Sequence, residues 1–279
     1  MDITFQSLLL FVVVTIGYYT IPSIGKPWLT LDDIRDADAR TNYFKRQLMS
    51  LGVYLLALLF SQMGLNIAYL MGKCGGSLDK NIGAAALYTI LPWTFIFGVM
   101  MLVVSVYTNL KDAFSNVVGY FVVANAANDL FSSIFLGSEL NEAISKTSDE
   151  GTRKELTKAA EAILKICGNK SVLINQINID NFSDIWNTLK PLMKPGVYEN
   201  NEIRAKLLSI VSLKDSVGEG MWFLYTAVLI SSIVYYNLAT RGCVKSKEQI
   251  KSERDAYLKQ QDDAAEQAKL TNGTTYVAS

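Results

Sequence analysis

Four long stretches of this sequence contain no charged residue, and they constrain the fold more than any other feature. A helix needs about 20 mostly apolar residues to cross the hydrocarbon core of a bilayer, and each stretch reaches that length. Because lipid offers the backbone no hydrogen-bond partner, each stretch must be helical if it crosses. The sequence therefore predicts an all-α membrane protein with transmembrane helices near 3–24, 48–72, 83–108 and 219–240.

The third stretch contains Pro92. Proline lacks the backbone N–H that an α-helix needs, and its ring crowds the preceding turn. We therefore expect a kink or an ordered break in the third helix at this residue.

The segment 114–137 can be interpreted in two ways. Its first half is apolar all round, whereas Asn125, Asn128 and Asp129 share one helical face in the second half. Burying a charged aspartate at mid-membrane costs at least about 2.5 kcal/mol, which favours an amphipathic interfacial helix and four spans. A fifth span is the alternative, because it would place the basic segments 26–46 and 241–254 on one side of the membrane.

A polar insert at 138–216 separates this segment from the last transmembrane helix at 217–240. Apolar stripes predict amphipathic helices at 150–167, 180–193 and 201–213, whereas the β-branched run 171–179 predicts a strand or an extended segment. The expected parts are an N-terminal membrane region, an interfacial or fourth spanning helix, a helical extramembrane insert, the last transmembrane helix and a charged C-terminal helical tail. Their ranges are 1–112, 113–137, 138–216, 217–240 and 241–279.

The C-terminal tail mixes basic, acidic and amide residues with few apolar ones, so we expect a solvated helix or a disordered arm. Basic side chains close to the membrane are expected to contact anionic lipid headgroups. Cys243 follows the last apolar stretch and is a candidate for reversible acylation. The basic residues are Arg241, Lys245, Lys247, Lys251 and Arg254.

Several kinds of site are excluded by composition. The chain has no histidine, which rules out a Ser–His–Asp triad and a histidine-ligated zinc. Its 26 basic and 26 acidic residues leave no positive excess for nucleic acid. Three scattered cysteines suit no metal site, and Cys74 could pair with Cys167 only in the five-span topology. We therefore expect neither enzymatic activity nor a cofactor. The face formed by Asn125, Asn128 and Asp129 suggests an alternative function, that of a small oligomeric channel or transporter.

The segment LKDAFSNVVGYFVVANAANDL, about a tenth of the chain, resembles a motif in membrane proteins of large icosahedral nucleocytoplasmic double-stranded DNA viruses of the chlorella-virus and mimivirus-like groups. The resemblance implies a minor capsid protein of the virion's inner membrane. Its partners would be the lipid bilayer and other capsid or membrane proteins of the assembly. The Asn/Asp-rich end of the segment departs from the pattern. The matching residues are Phe114, Ser115, Asn116, Gly119 and Tyr120.

Overall fold

A computed structural model of the chain describes residues 3–75, 78–135, 170–243 and 247–272. Within these ranges all regular secondary structure is helical, and five helices are long and apolar enough to cross a membrane. The all-α prediction is confirmed, and the five helices are compatible with a multi-pass membrane protein. These five helices are Ile3–Thr20, Ala37–Cys74, Asn81–Val106, Thr108–Ile134 and Asn201–Thr240.

Seven helices are labelled here in chain order. Two of them contain an internal π-helical segment: α3 is Leu78–Pro92, Trp93–Gly98 and Val99–Val106, and α4 is Asp112–Phe114, Ser115–Gly119 and Tyr120–Ile134. Short 3₁₀ helices occur at Asp32–Ile34, Thr108–Leu110, Lys170–Gln176 and Lys190–Leu192. The remaining helices are α1 (Ile3–Thr20), α2 (Ala37–Cys74), α5 (Phe182–Leu189), α6 (Asn201–Thr240) and α7 (Lys247–Asn272).

The two longest helices begin at side chains that cap them. The Asp36 carboxylate accepts the Ala39 N–H at 2.8 Å, and this hydrogen bond holds the pKa of the carboxyl below its usual range. The Asn200 side chain accepts the N–H groups of Glu202 and Ile203 at the start of α6. Both caps satisfy backbone donors that would otherwise lack an intrahelical partner.

The irregularity expected at Pro92 is present as a π-helical segment that starts at the next residue. Proline cannot donate to the carbonyl one turn back, so the regular α-helical ladder is interrupted there. Trp93 and Phe97, both in the π segment, are fully buried with their rings 5.4 Å apart. The break therefore directs two large aromatic side chains into the protein.

A first hydrophobic core, which we call the bundle core, unites α1, α2, α3 and the second half of α6. Polar side chains within it are paired across helices: Ser7 bonds both Gln62 and Ser231, and Asn66 donates to Thr89 at 2.8 Å. Hydrogen bonds of this kind hold helices together where no water competes. The largest buried side chains of the bundle core are Phe11, Trp93, Phe97, Phe223, Leu58 and Leu70.

A second core, the platform core, joins α4, the 170–198 segment and the first half of α6. Ile174 and Ile177 from the 3₁₀ region and Phe182 and Trp186 from α5 are at most 1% exposed within it. α4 runs antiparallel to the first half of α6. The helices contribute Val123, Ala127, Leu130, Phe131 and Ile134 from α4, and Leu207, Leu208 and Val211 from α6.

Helix α6 belongs to both cores because it is unbroken for 40 residues. The boundary expected between residues 216 and 217 therefore falls inside a helix. The buried stripe of α6 continues through Lys214, Asp215 and Glu219. From the sequence alone, these three charges would indicate a segment exposed to water. Groups from other parts of the chain pair with these charges, so the buried stripe of α6 continues without a break.

The strand or extended segment expected at 171–179 is a 3₁₀ helix, Lys170–Gln176, over most of its length. The β-branched residues do not pair along a sheet; instead Ile174 and Ile177 insert into the platform core. Helices expected at 180–193 and 201–213 are present as α5 and as the first part of α6. The helix expected at 150–167 lies outside the described residues.

Candidate functional site: a buried charge cluster between two cores

Glu219 is the centre of a cluster of charged side chains at the level where the bundle core meets the platform core. Its side chain is 0% exposed. The Lys26 ammonium donates to both of its carboxylate oxygens, at 3.2 and 3.1 Å, and the Tyr19 hydroxyl donates at 3.0 Å. A carboxylate removed from water requires such partners, because an isolated buried charge is very costly.

Lys111 completes the charge balance of the cluster. Its ammonium nitrogen lies 3.0 Å from Asp215 Oδ2 and 3.3 Å from Glu219 Oε2. With Lys26, the cluster contains two cations and two anions, and all four side chains are at most 10% exposed. The opposing charges cancel, so the group can remain buried without a counterion from solvent.

The cluster joins three parts of the chain. Lys26 follows α1, Lys111 directly precedes α4, and Asp215 and Glu219 lie one turn apart on α6. Side chains four residues apart on a helix share one face, which places both carboxylates toward the two lysines. The cluster therefore fixes the end of α1 and the start of α4 to the middle of α6.

The five motif residues, on which the resemblance at 110–130 rests, lie where α4 crosses α6. A Cβ atom added to Gly119 would lie 2.6 Å from the Lys214 carbonyl oxygen, and one added to Gly218 would lie 2.7 Å from Ser115 Cβ. Neither distance leaves space for a side chain. Glycine on each helix is therefore what allows the two backbones to approach.

Lys214 links this crossing to the platform core. The residue is 1% exposed, and its ammonium donates to Asn116 Oδ1 at 3.0 Å and to the carbonyl oxygens of Ile174 and Ile177 at 2.8 and 3.2 Å. The Asn116 carbonyl accepts from the Asn175 side chain at 3.2 Å. These bonds hold the 3₁₀ helix against α4 and α6.

The two aromatic residues of the motif contact opposite parts of the crossing. The Phe114 ring packs edge-on against Trp222, with 5.0 Å between ring centroids. The Tyr120 hydroxyl lies 2.8 Å from Ser171 Oγ at the start of the 3₁₀ helix. The structure thus brings all five motif residues to one contact between helices, where they pack and hydrogen-bond.

Sequence reasoning missed the charge cluster. In the sequence, Lys26, Lys111 and Glu219 each border an uncharged stretch, where a charge ordinarily lies in water. Asp215 and Glu219 did contain a signal, since they interrupt an otherwise apolar helical stripe at a spacing of four residues. Charges on a buried stripe require partners, but which lysines would supply them depends on the fold.

The polar face predicted on α4 is exposed. Asn125, Asn128 and Asp129 all point away from the platform core, because Val123 and Ala127 occupy the buried side of the helix. Within the described residues there is no group of three or more His, Cys, Asp or Glu side chains placed to hold a metal ion. The three polar side chains therefore line no enclosed cation site among these residues.

The cysteines pair differently from either expectation. Cys74, at the end of α2, forms a disulfide with Cys243, just beyond α6, across 169 positions of sequence. Cys243 in this state has no thiol to acylate, and Cys74 is not available to Cys167, which lies outside the described residues. The pairing arises because α2 and α6 end side by side: the Lys73 ammonium donates to three carbonyls at the end of α6, those of Leu238, Ala239 and Arg241.

The proposed headgroup-contacting residues are distributed along the chain after α6. Arg241 is half-buried at the helix end, and Lys251 and Arg254 are exposed on α7. Lys247 begins α7, and Lys245 lies outside the described residues. Their contact with lipid stays a prediction.

No family model, curated protein or solved structure matches this chain.

Proposed function

We propose that the chain is a structural, non-enzymatic, multi-pass membrane protein that links a bilayer to a protein layer. In this proposal α1, α2, α3 and the second half of α6 cross the membrane. The platform core, built on α4 and the first half of α6, then lies at the membrane surface. The observation that supports it is the division of buried residues: the buried apolar residues of α4 belong to the platform core, whereas α1, α2, α3 and the second half of α6 share the bundle core.

The length of α6 supports this placement. Its 40 residues correspond to about 60 Å at 1.5 Å per residue, roughly twice the hydrocarbon thickness of a bilayer. The longest uncharged part of the helix runs from Gly220 to Thr240. The part before the charge cluster therefore extends beyond the membrane and serves as the spine of the platform.

The exposed surface of α4 supports an interfacial position. Close to the charge cluster it exposes the apolar Val117 and Phe121, whose side chains are 56% and 76% exposed. Further along, the exposed residues are Asn125, Asn128 and Asp129. A surface that changes from apolar to polar with distance from the bundle is typical of a helix that leaves the membrane interface.

A linking role follows from the rigid connection between the two cores. α6 is continuous, and the buried charges attach α1 and α4 to it, so a load on the platform is transmitted to the membrane helices. The resemblance at 110–130 suggests the setting: the inner membrane of a virion, with capsid and membrane proteins as partners. The channel or transporter alternative would place the exposed Asn125/Asn128/Asp129 face between copies of the chain, whereas the linking role assigns this face to partner proteins.

Site-specific photocrosslinking tests the proposal. A photoreactive amino acid at Asn125, on the outer face of the platform, is expected to crosslink to neighbouring proteins of the assembly. The matched control is Phe60, 74% exposed in the uncharged part of α2, which is expected to crosslink to lipid. Lipid adducts at both positions, or protein adducts only at position 60, would contradict the proposed arrangement.

A further inference from the structure

A groove of about 520 Å³ lies beside the charge cluster, between α6 and the chain that leaves α1. Ligand sites in proteins commonly have volumes of this order. Its position is informative because the uncharged stretch of α1 ends at Lys26 and that of α6 begins at Gly220, and both residues line the groove. If the bundle lies in a bilayer as proposed above, the groove spans the edge of the hydrocarbon core.

One wall of the groove is a single face of α6. Ser209, Ser212, Ser216, Val217 and Gly220 line it at spacings of three and four residues. The hydroxyl groups lie toward the platform, and Val217 and Gly220 lie toward the bundle. Neither the Ser209 nor the Ser212 hydroxyl hydrogen-bonds to any residue that the structure describes. The upper half of the wall therefore offers the Ser209 and Ser212 hydroxyls beside the apolar Leu213, and the lower half is apolar.

The opposite wall comes from α1 and the chain that follows it, including the apolar Pro27 and Leu29. Thr15 and Tyr19 of α1 form its lower part, and Lys26 and Trp28 form its upper part. Trp28 is 71% exposed. Tryptophan is enriched at the level of lipid headgroups, where its ring contacts apolar chains and its N–H contacts water.

The charges around the groove favour a ligand without net charge. The Lys26 ammonium donates to Ser216 Oγ at 3.0 Å and to both oxygens of Glu219, so its three N–H groups are already engaged. Together with Lys111 and Asp215, the cluster is neutral. The groove therefore has no unpaired cation in the cluster with which to select an anionic headgroup.

We propose that this groove binds one zwitterionic glycerophospholipid. An acyl chain lies in the lower half against Val217, Gly220 and the Tyr19 ring, and the phosphate and ester oxygens accept hydrogen bonds from Ser209 and Ser212. The inference rests on the proposed membrane placement of the bundle. A bound lipid would fill the gap between α1 and α6 and so exclude water from the neighbouring charge cluster.

Native mass spectrometry of the full chain, purified in mild detergent with a mixture of phosphatidylcholine and phosphatidylglycerol, tests the proposal. We expect one phosphatidylcholine retained per chain. G220L is designed to fill the lower half: a Cβ atom at Gly220 would meet the Tyr19 ring at 3.6 Å, an ordinary contact. The amount of lipid retained should decrease at least fivefold in this variant and severalfold in S209A/S212A.

Two matched controls separate groove occupancy from general effects. Gly64 on α2 has open space where a Cβ would lie, so G64L adds the same side chain outside the groove. Ser232 is exposed and bonds within its own helix, so S232A removes a hydroxyl elsewhere on α6. Both controls should retain lipid as the unmodified chain does.

Three results would each overturn the inference: preferential retention of phosphatidylglycerol over phosphatidylcholine, no retained lipid, or equal lipid retention by G220L and G64L. Resistance of the unmodified chain to carbonate extraction is measured in parallel. An integral protein that retains no lipid refutes the groove alone, whereas a carbonate-extractable protein refutes the membrane placement itself.

Discussion

Lys26 and Glu219 are 193 positions apart in sequence, yet their side chains form an ion pair at 3.1 Å with the carboxylate fully buried. The pair connects the end of one membrane-length helix to the middle of another. It also lies where the bundle core ends and the platform core begins. The ion pair therefore helps to hold the bundle core and the platform core together.

Loss of the Glu219 charge is expected to be strongly destabilising. Glu219→Ala leaves the Lys26 and Lys111 ammonium groups buried with only Asp215 to balance them, and breaking a buried ion pair in this way typically costs about 3–5 kcal/mol. Denaturant titration in detergent micelles measures the free energy of unfolding. Arg35→Gln is the control, because its pair with Asp36 is exposed to solvent and pairs of this kind contribute little to stability. Equal effects of the two substitutions would contradict a structural role for the cluster.

The close approach of α4 and α6 predicts opposite outcomes for the same substitution at two glycines. Alanine favours a helix over glycine by about 1 kcal/mol, so Gly52→Ala, in open space on α2, should be neutral or stabilising. Gly218→Ala places a Cβ 2.9 Å from the Lys111 carbonyl oxygen and should destabilise the protein despite its better propensity. Proteolysis rates of the platform, compared between the two variants, measure the difference. Similar rates would mean that the helices separate more easily than this contact implies.

The disulfide between Cys74 and Cys243 predicts the number of reactive thiols. A chain denatured without reduction should react with one maleimide–polyethylene glycol, at Cys167, and a reduced chain should react with three. Cys74→Ser should give two labels without reduction. Because disulfides persist in oxidising compartments, the ends of α2 and α6 are expected to face such a compartment. Three labels on the unreduced chain would show that the cysteines are free.

In the proposed placement α6 carries the tail to the side of the membrane opposite the platform, so removal of the tail is expected to impair assembly through partners on that side without affecting the fold. Every described side chain from Ile250 to Ala268 is exposed, and neither core includes a residue of α7. Truncation after Cys243 retains the disulfide and should leave membrane insertion intact, while incorporation into the assembly, measured by co-sedimentation, decreases. High salt should weaken the same step in the full chain if Asp262, Asp263 and Glu266 meet basic partners. Normal incorporation of the truncated chain would remove the tail from the linking role.

The membrane-length helices could be predicted from the sequence because hydropathy is a local property. Uncharged stretches of more than 20 residues must satisfy their backbone internally, so their helical state needs no knowledge of neighbours. Pro92 likewise determined the irregularity in α3 through its missing N–H. The exposure of Asn125 and Asp129 was one of the two alternatives that their spacing allowed.

What only the tertiary structure decided are the partners of polar groups that are distant in sequence. Lys26, Lys111 and Glu219 each border an uncharged stretch and Asp215 lies one turn before Glu219, and charges at such places are ordinarily solvated. These side chains can be buried because opposite charges from elements that meet only after folding cancel one another. The unbroken course of α6 through this region depends on the same pairing. The pairing of Cys74 with Cys243 has the same origin, since it requires α2 and α6 to end at one place. Local sequence determines which segments are long and apolar enough to cross a membrane, whereas the energy that joins those segments comes from contacts between residues far apart in the sequence, which no local pattern indicates.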